Sequence, residues 1–248
     1  MTLKKIISDF KAKHIKHLLL YKLYRLVKYR PFKTYSAWGE DIIVSRIYRI
    51  GRFKKKNYKG VFVDVGCNHP VIGNTTYLLY QRGWAGLNID LTADNIMLCN
   101  RLRKRDTNIQ RAISDEEGEI KSYIFDPGSG LNTLDKEAAD KGAALINKPY
   151  RVEKIKAEPL NKAIEDNLGA VKIDVLNVDV EGHEMAVLGS FDFEKFSPDV
   201  IVCEIHGENI EEIVETAVYK LIKGNGYHCI SYCGSTAIFA RNGWDYIL

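Results

Sequence analysis

No apolar run in this chain approaches the ~20 residues that a membrane-spanning helix requires. Its first residues do not follow a signal-peptide pattern, because Lys and His interrupt every apolar stretch there. Cysteine is sparse. Cys67, Cys99, Cys203, Cys229 and Cys233 are an odd number without zinc-type spacing, so they read as reduced thiols in a cytoplasmic protein, not as a disulfide framework. Internal repeats and low-complexity tracts are missing as well. What remains is 248 residues, 46% hydrophobic and 27% charged, which suits one large α/β domain with a sizeable core better than two small ones.

The net charge of +4 hides an uneven distribution. Residues 1–56 hold 16 Lys/Arg against 3 Asp/Glu, and the other 192 hold 20 against 29. A basic front end on an acidic body fits either a solvated basic helix or an anionic partner: a phosphorylated substrate, a nucleotide-sugar, an anionic membrane or a nucleic acid. Leu20, Leu23, Tyr24 and Val27, interleaved with Lys22, Arg25 and Lys28, give residues 3–29 the spacing of an amphipathic helix that Pro31 ends. A second helix is expected over 39–49. The domain division that follows is a basic helical extension over 1–56 packed on a core domain over 57–248.

Within the core, strands are expected near 61–65, 87–90, 108–113, 173–179 and 199–205, alternating with helices near 74–82, 93–104, 182–189 and 208–223. This alternation predicts a parallel sheet covered on both faces. Tyr227–Ser231 and Thr236–Arg241 read as a closing pair of strands around Cys233-Gly234-Ser235. Residues 121–158 interrupt the alternation. Asp126-Pro127-Gly128-Ser129-Gly130 is a turn-rich loop, a polar helix near 135–142 and a strand over 150–157 follow, and the whole reads as a lap covering the substrate.

Four predicted strand ends carry chemistry: Asp64-x-Gly66, Asp90, Asp179-Val180-Glu181-Gly182-His183 and Glu204-Ile205-His206. Ligands of open α/β sheets bind at the carboxyl ends of strands, where the strand order reverses. The first turn reads Gly66-Cys67-Asn68 and lacks the second and third glycines of G-x-G-x-x-G. That argues against a dinucleotide and for S-adenosylmethionine, with Asp64 and Gly66 under its amino acid part and Asp90 accepting from its ribose hydroxyls. Asn68 and Asn74 suit capping positions, and the N–H groups exposed near Asn74 could also hold the ligand carboxylate. Ser114 could line the adenine edge.

The chain resembles the FkbM-type methyltransferases that use S-adenosylmethionine. The residues carrying the resemblance are Ser36-Ala37-Trp38-Gly39-Glu40-Asp41, Phe62-Val63-Asp64-Val65-Gly66 and Gly83-Trp84-Ala85-Gly86-Leu87-Asn88-Ile89-Asp90. They continue with Ala112-Ile113-Ser114-Asp115, Asn177-Val178-Asp179-Val180-Glu181-Gly182-His183-Glu184 and Pro198-Asp199-Val200-Ile201-Val202-Cys203-Glu204-Ile205. The resemblance implies a Rossmann-like, mostly parallel seven-stranded sheet with an antiparallel C-terminal strand. It implies S-adenosylmethionine held by Glu40, Asp64, Gly66, Asn68, Asn74, Asp90, Leu91, Ser114, Asp179 and Glu181, and an acceptor hydroxyl on a sugar or natural product. Two positions depart from the family pattern. Ala37 stands where Gln is common, and Asp90-Leu91 stands for Glu-Pro, which shortens the ribose arm.

A sugar hydroxyl is too weak an acid to ionise freely at neutral pH, so its methylation needs a base or a metal. Asp179, Glu204 and His206 offer a divalent site for Mg²⁺ or Mn²⁺. The rival reading is a metal-free base, with Asp179, His206 or His183 as the catalytic group. The expected partner is a sugar or nucleotide-sugar in surface glycan biosynthesis. RNA or protein methylation is a rival without an Asn-Pro-Pro-Tyr-type motif or an added nucleic-acid module, and a nicotinamide oxidoreductase is opposed by the missing glycines. A non-catalytic protein docking on anionic membrane through residues 3–29 is a rival of another class. Trp38, Trp84 and Trp244 read as packing, and His14, His17 and Lys54-Lys55-Lys56 as solvated.

Overall fold

A computed structural model describes residues 33–50, 58–126 and 128–245, together with Leu18, Leu20, Lys22 and Leu23. Most of the predicted helix over 3–29, and Lys54-Lys55-Lys56, lie outside the described residues. The chain divides into two compact units, Met1–Lys33 and Thr34–Leu248. The second helix of the sequence reading, here α1 (Glu40–Ile50), therefore belongs to the core unit. Among the described residues no helix is long and apolar enough to cross a membrane.

The core unit is organised by a seven-stranded sheet. In chain order its strands are β1 (Val61–Val65), β2 (Ala85–Asp90), β3 (Thr107–Gln110), β7 (Val175–Val178), β8 (Val200–Glu204), β9 (Tyr227–Cys233) and β10 (Thr236–Arg241). Their spatial order is β3-β2-β1-β7-β8-β10-β9, parallel except for β10, which runs antiparallel to both its neighbours. The sheet is the mostly parallel, seven-stranded one expected. Its order reverses between β1 and β7, and that is where an open α/β sheet leaves a crevice at its carboxyl edge.

Successive strand residues point to opposite faces, and each face here has its own core. Val63 and Val65 of β1, with Leu87, Ile89, Leu176 and Val178, pack against α5 (Leu160–Leu168) and α6 (Glu184–Gly189). Phe62, Val175, Val200 and Val202 pack on the other side against Val44, Ile47 and Tyr48 of α1, and against Trp84 and Trp244. Near-continuous apolar strands such as Val200-Ile201-Val202-Cys203 are what burial on both faces demands.

Several element bounds differ from expectation. The strand predicted over 108–113 is two strands. β3 stays in the main sheet, whereas β4 (Ala112–Ile113) leaves it at Arg111 and pairs with β6 (Arg151–Glu158). β6 in turn pairs antiparallel with β5 (Gly118–Ile124), a strand the sequence reading missed. This three-stranded sheet, with α4 (Lys136–Ile146), runs from 112 to 158 and takes in the interruption expected over 121–158; together they are called the lap. The helix expected over 208–223 breaks at Thr216, whose extended backbone ends α8 (Ile210–Glu215) and whose hydroxyl accepts from Tyr219 N–H to cap α9 (Ala217–Gly224). The helices α2 (Tyr77–Gln81), α3 (Ala93–Leu102) and α7 (Phe193–Phe196) complete the unit.

Candidate functional site

The crevice lies where topology places it. About 700 Å³ of empty space opens at the carboxyl ends of β1, β2 and β7. Val65, Gly66, Asn68, Asp90, Leu91, Asp179 and Glu181 line one side, and Ser129, Gly130, Asn132 and Leu134 of the lap line another.

Gly66 is the tightest point of the wall. It has a φ of +81°, and a Cβ there would fall 1.7 Å from the backbone oxygen of Asp179. Only glycine lets the ends of β1 and β7 come this close. The turn is then fixed by its neighbours, since Gly66 N–H and Cys67 N–H both donate to Ile89 O.

Asp90 closes β2, and donors surround it. Its Oδ1 accepts from Thr92 N–H, Thr92 Oγ1 and Asn95 Nδ2, and its Oδ2 accepts from Asn68 N–H at 2.8 Å. Burial pushes this carboxyl upward, while the four donors pull the other way. Three bonds crowd Oδ1, so Oδ2 is the atom with a lone pair left for a ribose hydroxyl. The bond from Asn68 N–H also sets that residue's left-handed backbone, with φ of 47°.

Four other expected cofactor contacts stand behind the wall instead of in it. Asp64 is 1% exposed, and its carboxylate accepts from Thr76 Oγ1, Asn74 Nδ2 and Asn177 Nδ2. It ties β1 to β7 and to the loop before α2, and it does not line the cavity. Asn74 is buried and serves the same cluster, donating to Cys67 O and accepting from Arg103 Nη1. Thr76, with no side-chain capping bond, precedes α2 where Asn74 was expected to cap. Glu40 is buried in the first turn of α1 and accepts from Trp38 N–H. Ser114 is buried and donates to Asp115.

The far end of the crevice is acidic. Asp179 reaches solvent through the cavity, though protein surrounds it on most sides. Burial raises its carboxyl well above the usual range, and the charges of Glu204 and Glu181 raise it further. Burial also pushes Glu204 upward, but His206, Asp179 and Ser235 together hold it below the ordinary value. Glu204 Oε1 accepts from Ser235 Oγ at 3.0 Å. Its Oε2 is buried, receives no bond from a well-aligned permanent donor, and faces His206 Nε2 at 3.3 Å. That ion pair lifts His206 to about 9.

Glu181 is raised to about 8, by burial first and then by the charge of Glu204. Its backbone is left-handed at φ of 54°, a conformation costing about 1–2 kcal/mol for a residue with a Cβ. Thr133 Oγ1 of the lap donates to Glu181 O at 2.8 Å and so holds it there. Strain at a cavity wall is characteristic of a working residue. Glu181, Glu204 and His206 each present a ligand atom within 4.8 Å of the others. Asp179, expected as the third ligand, is not in this group, and Glu181 takes its place. His183 precedes α6 and does not line the cavity; burial lowers its pKa, and its Nε2 has no partner.

These shifts predict a pH effect on the protein without ligands. Both folded-state values are raised, Glu181 from 4.5 to about 8 and His206 from 6.5 to about 9. Their stabilising contributions are complete below the unfolded values and disappear as pH rises through the folded ones. The melting temperature should fall from about pH 5 to about pH 9. Glu181→Gln, uncharged throughout, should flatten that fall in differential scanning fluorimetry.

A comparison with curated proteins returned no match. Among solved structures, the chain is similar to the FkbM methyltransferase of Methylobacillus flagellatus KT, at 14% identity and a TM-score of 0.42, over 79% of this chain and 48% of that one. It thus spans about half of that protein's length. It is also similar to the Bacillus cereus O-methyltransferase solved in complex with SAH, at 12% identity and a TM-score of 0.42, over 90% of each chain. A third similar structure is the TehB-like SAM-dependent methyltransferase of Corynebacterium glutamicum, at 10% identity and a TM-score of 0.40, over 93% of this chain and 100% of that one. The family model described as the methyltransferase FkbM domain matches residues 64–229, from the acid of β1 into β9. That match covers well over half of the chain, and the protein belongs to the FkbM family of SAM-dependent methyltransferases.

Proposed function

We propose that this methyltransferase acts on a hydroxyl of a sugar, nucleotide-linked or phosphorylated, with the Glu181/Glu204/His206 group holding a divalent cation. One observation carries the reading. Glu181 lines the cofactor crevice and also belongs to the carboxylate–imidazole group. The chemistry that activates an acceptor would thus lie beside the transferable methyl. S-adenosylmethionine supplies that methyl on a positively charged sulfur, ready for displacement by a nucleophile.

The chain's own residues do the rest. Gly66, Asn68 and Leu91 shape one wall, Asp90 Oδ2 accepts a ribose hydroxyl, and Ser129, Gly130, Asn132 and Leu134 of the lap form the other wall. Alignment of acceptor oxygen with the methyl provides much of the acceleration. A neutral amine attacks through its lone pair, whereas a hydroxyl must lose a proton, so a cluster of carboxylates and imidazole favours oxygen as the acceptor.

The donor set fits Mg²⁺ or Mn²⁺, being two carboxylates and an imidazole. Glu204 Oε2, buried with only the His206 imidazole facing it at 3.3 Å and no hydrogen bond, is an atom that a cation would complete. The charge of Glu204 raises the carboxyls of Asp179, Glu181 and Glu184, a repulsion that a cation would relieve. It would lower the acceptor hydroxyl's pKa.

The basic residues 1–56 would favour an anionic acceptor, in solution or at an anionic membrane surface. The five free thiols suit a reducing cytoplasm. The test is conversion of S-adenosylmethionine to S-adenosylhomocysteine against a panel of nucleotide-sugars, with EDTA and with Mg²⁺ or Mn²⁺ added back. Turnover stopped by EDTA and restored by metal supports the whole reading. EDTA-indifferent turnover removes the cation and leaves Glu181 as the proton acceptor. No turnover on any sugar, with the cofactor still bound, sinks the sugar.

A further inference from the structure

The tryptophans meet different fates. Trp84 and Trp244 are 3% and 8% exposed, as packing residues should be, but Trp38 is 63% exposed. This corrects the expectation that all three pack, and it leaves a large flat apolar surface in water.

Trp38 is held firmly for an exposed side chain. Its main-chain N–H donates to Glu40 Oε2 at 2.9 Å, and Gly39 turns the chain with a φ of +89°. Asp41 gathers the loop by accepting from Thr34 Oγ1, Tyr35 N–H and Ser36 Oγ. One face of the indole rests on the β9–β10 turn. A Cβ at Gly234 would lie 2.3 Å from each of Trp38 Cγ, Cδ1 and Cδ2, which puts it over the five-membered ring. The glycine backbone is therefore pressed against that face, and the exposure belongs to the opposite one.

The same turn fixes the chemistry next to it. Ile205 N–H donates to Ser235 O at 2.8 Å, and Ser235 Oγ donates to Glu204 Oε1. A rigid aromatic plate thus sits on the two-residue turn that positions the carboxylate–imidazole group.

We propose that Trp38 is the stacking platform for the acceptor's pyranose ring, holding one face of the sugar against the open indole while a ring hydroxyl reaches the Glu181/Glu204/His206 group. This rests on the sugar reading above. The C–H bonds on one face of a pyranose are weakly positive and the indole face is negative, so the two attract beyond their shared apolar area. The hydroxyls project from the ring's edge and stay free for the carboxylates. An indole already seated on the Gly234 backbone has less freedom to lose when the sugar binds.

The experiment uses the full chain saturated with S-adenosylhomocysteine. Binding of UDP-glucose, UDP-galactose, UDP-N-acetylglucosamine, UDP alone and catechol is measured by saturation-transfer NMR titration for the wild type, Trp38→Ala and Trp38→Phe. The expected result is a UDP-hexose affinity about tenfold weaker in Trp38→Ala and largely restored in Trp38→Phe, an aromatic-stacking loss of ordinary size. UDP alone and S-adenosylhomocysteine should bind all three proteins equally, which also shows that the variants fold. UDP-hexose affinity unchanged in Trp38→Ala would overturn the platform and leave the sugar reading standing. If the wild type binds none of the hexoses, the sugar reading falls and the platform with it. Trp38-dependent binding of catechol alone would reassign the plate to an aromatic acceptor.

Discussion

Gly66→Ala should abolish cofactor binding while the sheet still forms. In isothermal titration, S-adenosylhomocysteine affinity should drop by more than about a hundredfold, the scale of a few kcal/mol of overpacking. β1 and β7 run in register with Val65 opposite Val178, and Asp179 N–H donates to Val65 O at 3.0 Å. The obstacle to a methyl group at Gly66 is therefore the backbone of the neighbouring strand's end, at 1.7 Å for the Asp179 oxygen and 2.8 Å for its carbonyl carbon. A flexible side chain could swing aside, but this carbonyl can move only by displacing Asp179 and, two residues on, Glu181. The positive φ adds strain of its own. Circular dichroism should retain its native shape, since the two apolar cores lie below the turn. Gly189, where an added Cβ meets nothing and the backbone is not left-handed, is the control position for alanine. Undiminished affinity in Gly66→Ala would place the cofactor away from the β1–β7 crevice.

The crevice was legible in the sequence because its determinants are local. An apolar run ending in an acid and a glycine turn is a strand end wherever it occurs, and the chain shows it at Val65-Gly66 and again at Asp90. The orientation of each acid was not legible. Whether a strand-end carboxylate faces a ligand or the scaffold depends on donors that arrive from elsewhere, and Asn177 on β7 and Thr76 before α2 capture Asp64. The substitution of Glu181 for Asp179 in the carboxylate–imidazole group has a similar origin. It follows from a left-handed backbone imposed by Thr133, a residue of the lap. β5 escaped notice because its first half is exposed and charged, and only Ser122, Tyr123 and Ile124 are buried. Trp38 gave no signal at all, since its resting surface is a glycine near the other end of the chain.

Glu204→Gln should cost about 10²–10⁴ in kcat, the range for loss of a positioned acid–base group, and leave S-adenosylhomocysteine affinity unchanged. Glu204 lies outside the lining of the cofactor crevice, so the two readouts separate. The amide keeps the shape and can still accept from Ser235 Oγ through its oxygen. It cannot hold a positive charge on His206. The NMR titration of His206 should therefore fall from about 9 toward the ordinary 6.5. Asp179, freed from the like charge of Glu204, should ionise more readily. The substitution thus removes a ligand atom and also rearranges the protons on its neighbours, and the imidazole shift reports the second effect without any turnover. A variant that shows the shift and keeps full kcat would mean that acceptor activation occurs elsewhere, and that these carboxylates serve only to bind. A variant with neither change would mean that Glu204 and His206 do not form their ion pair in solution. Loss of kcat together with the shift would tie the reaction to the charge on Glu204 itself.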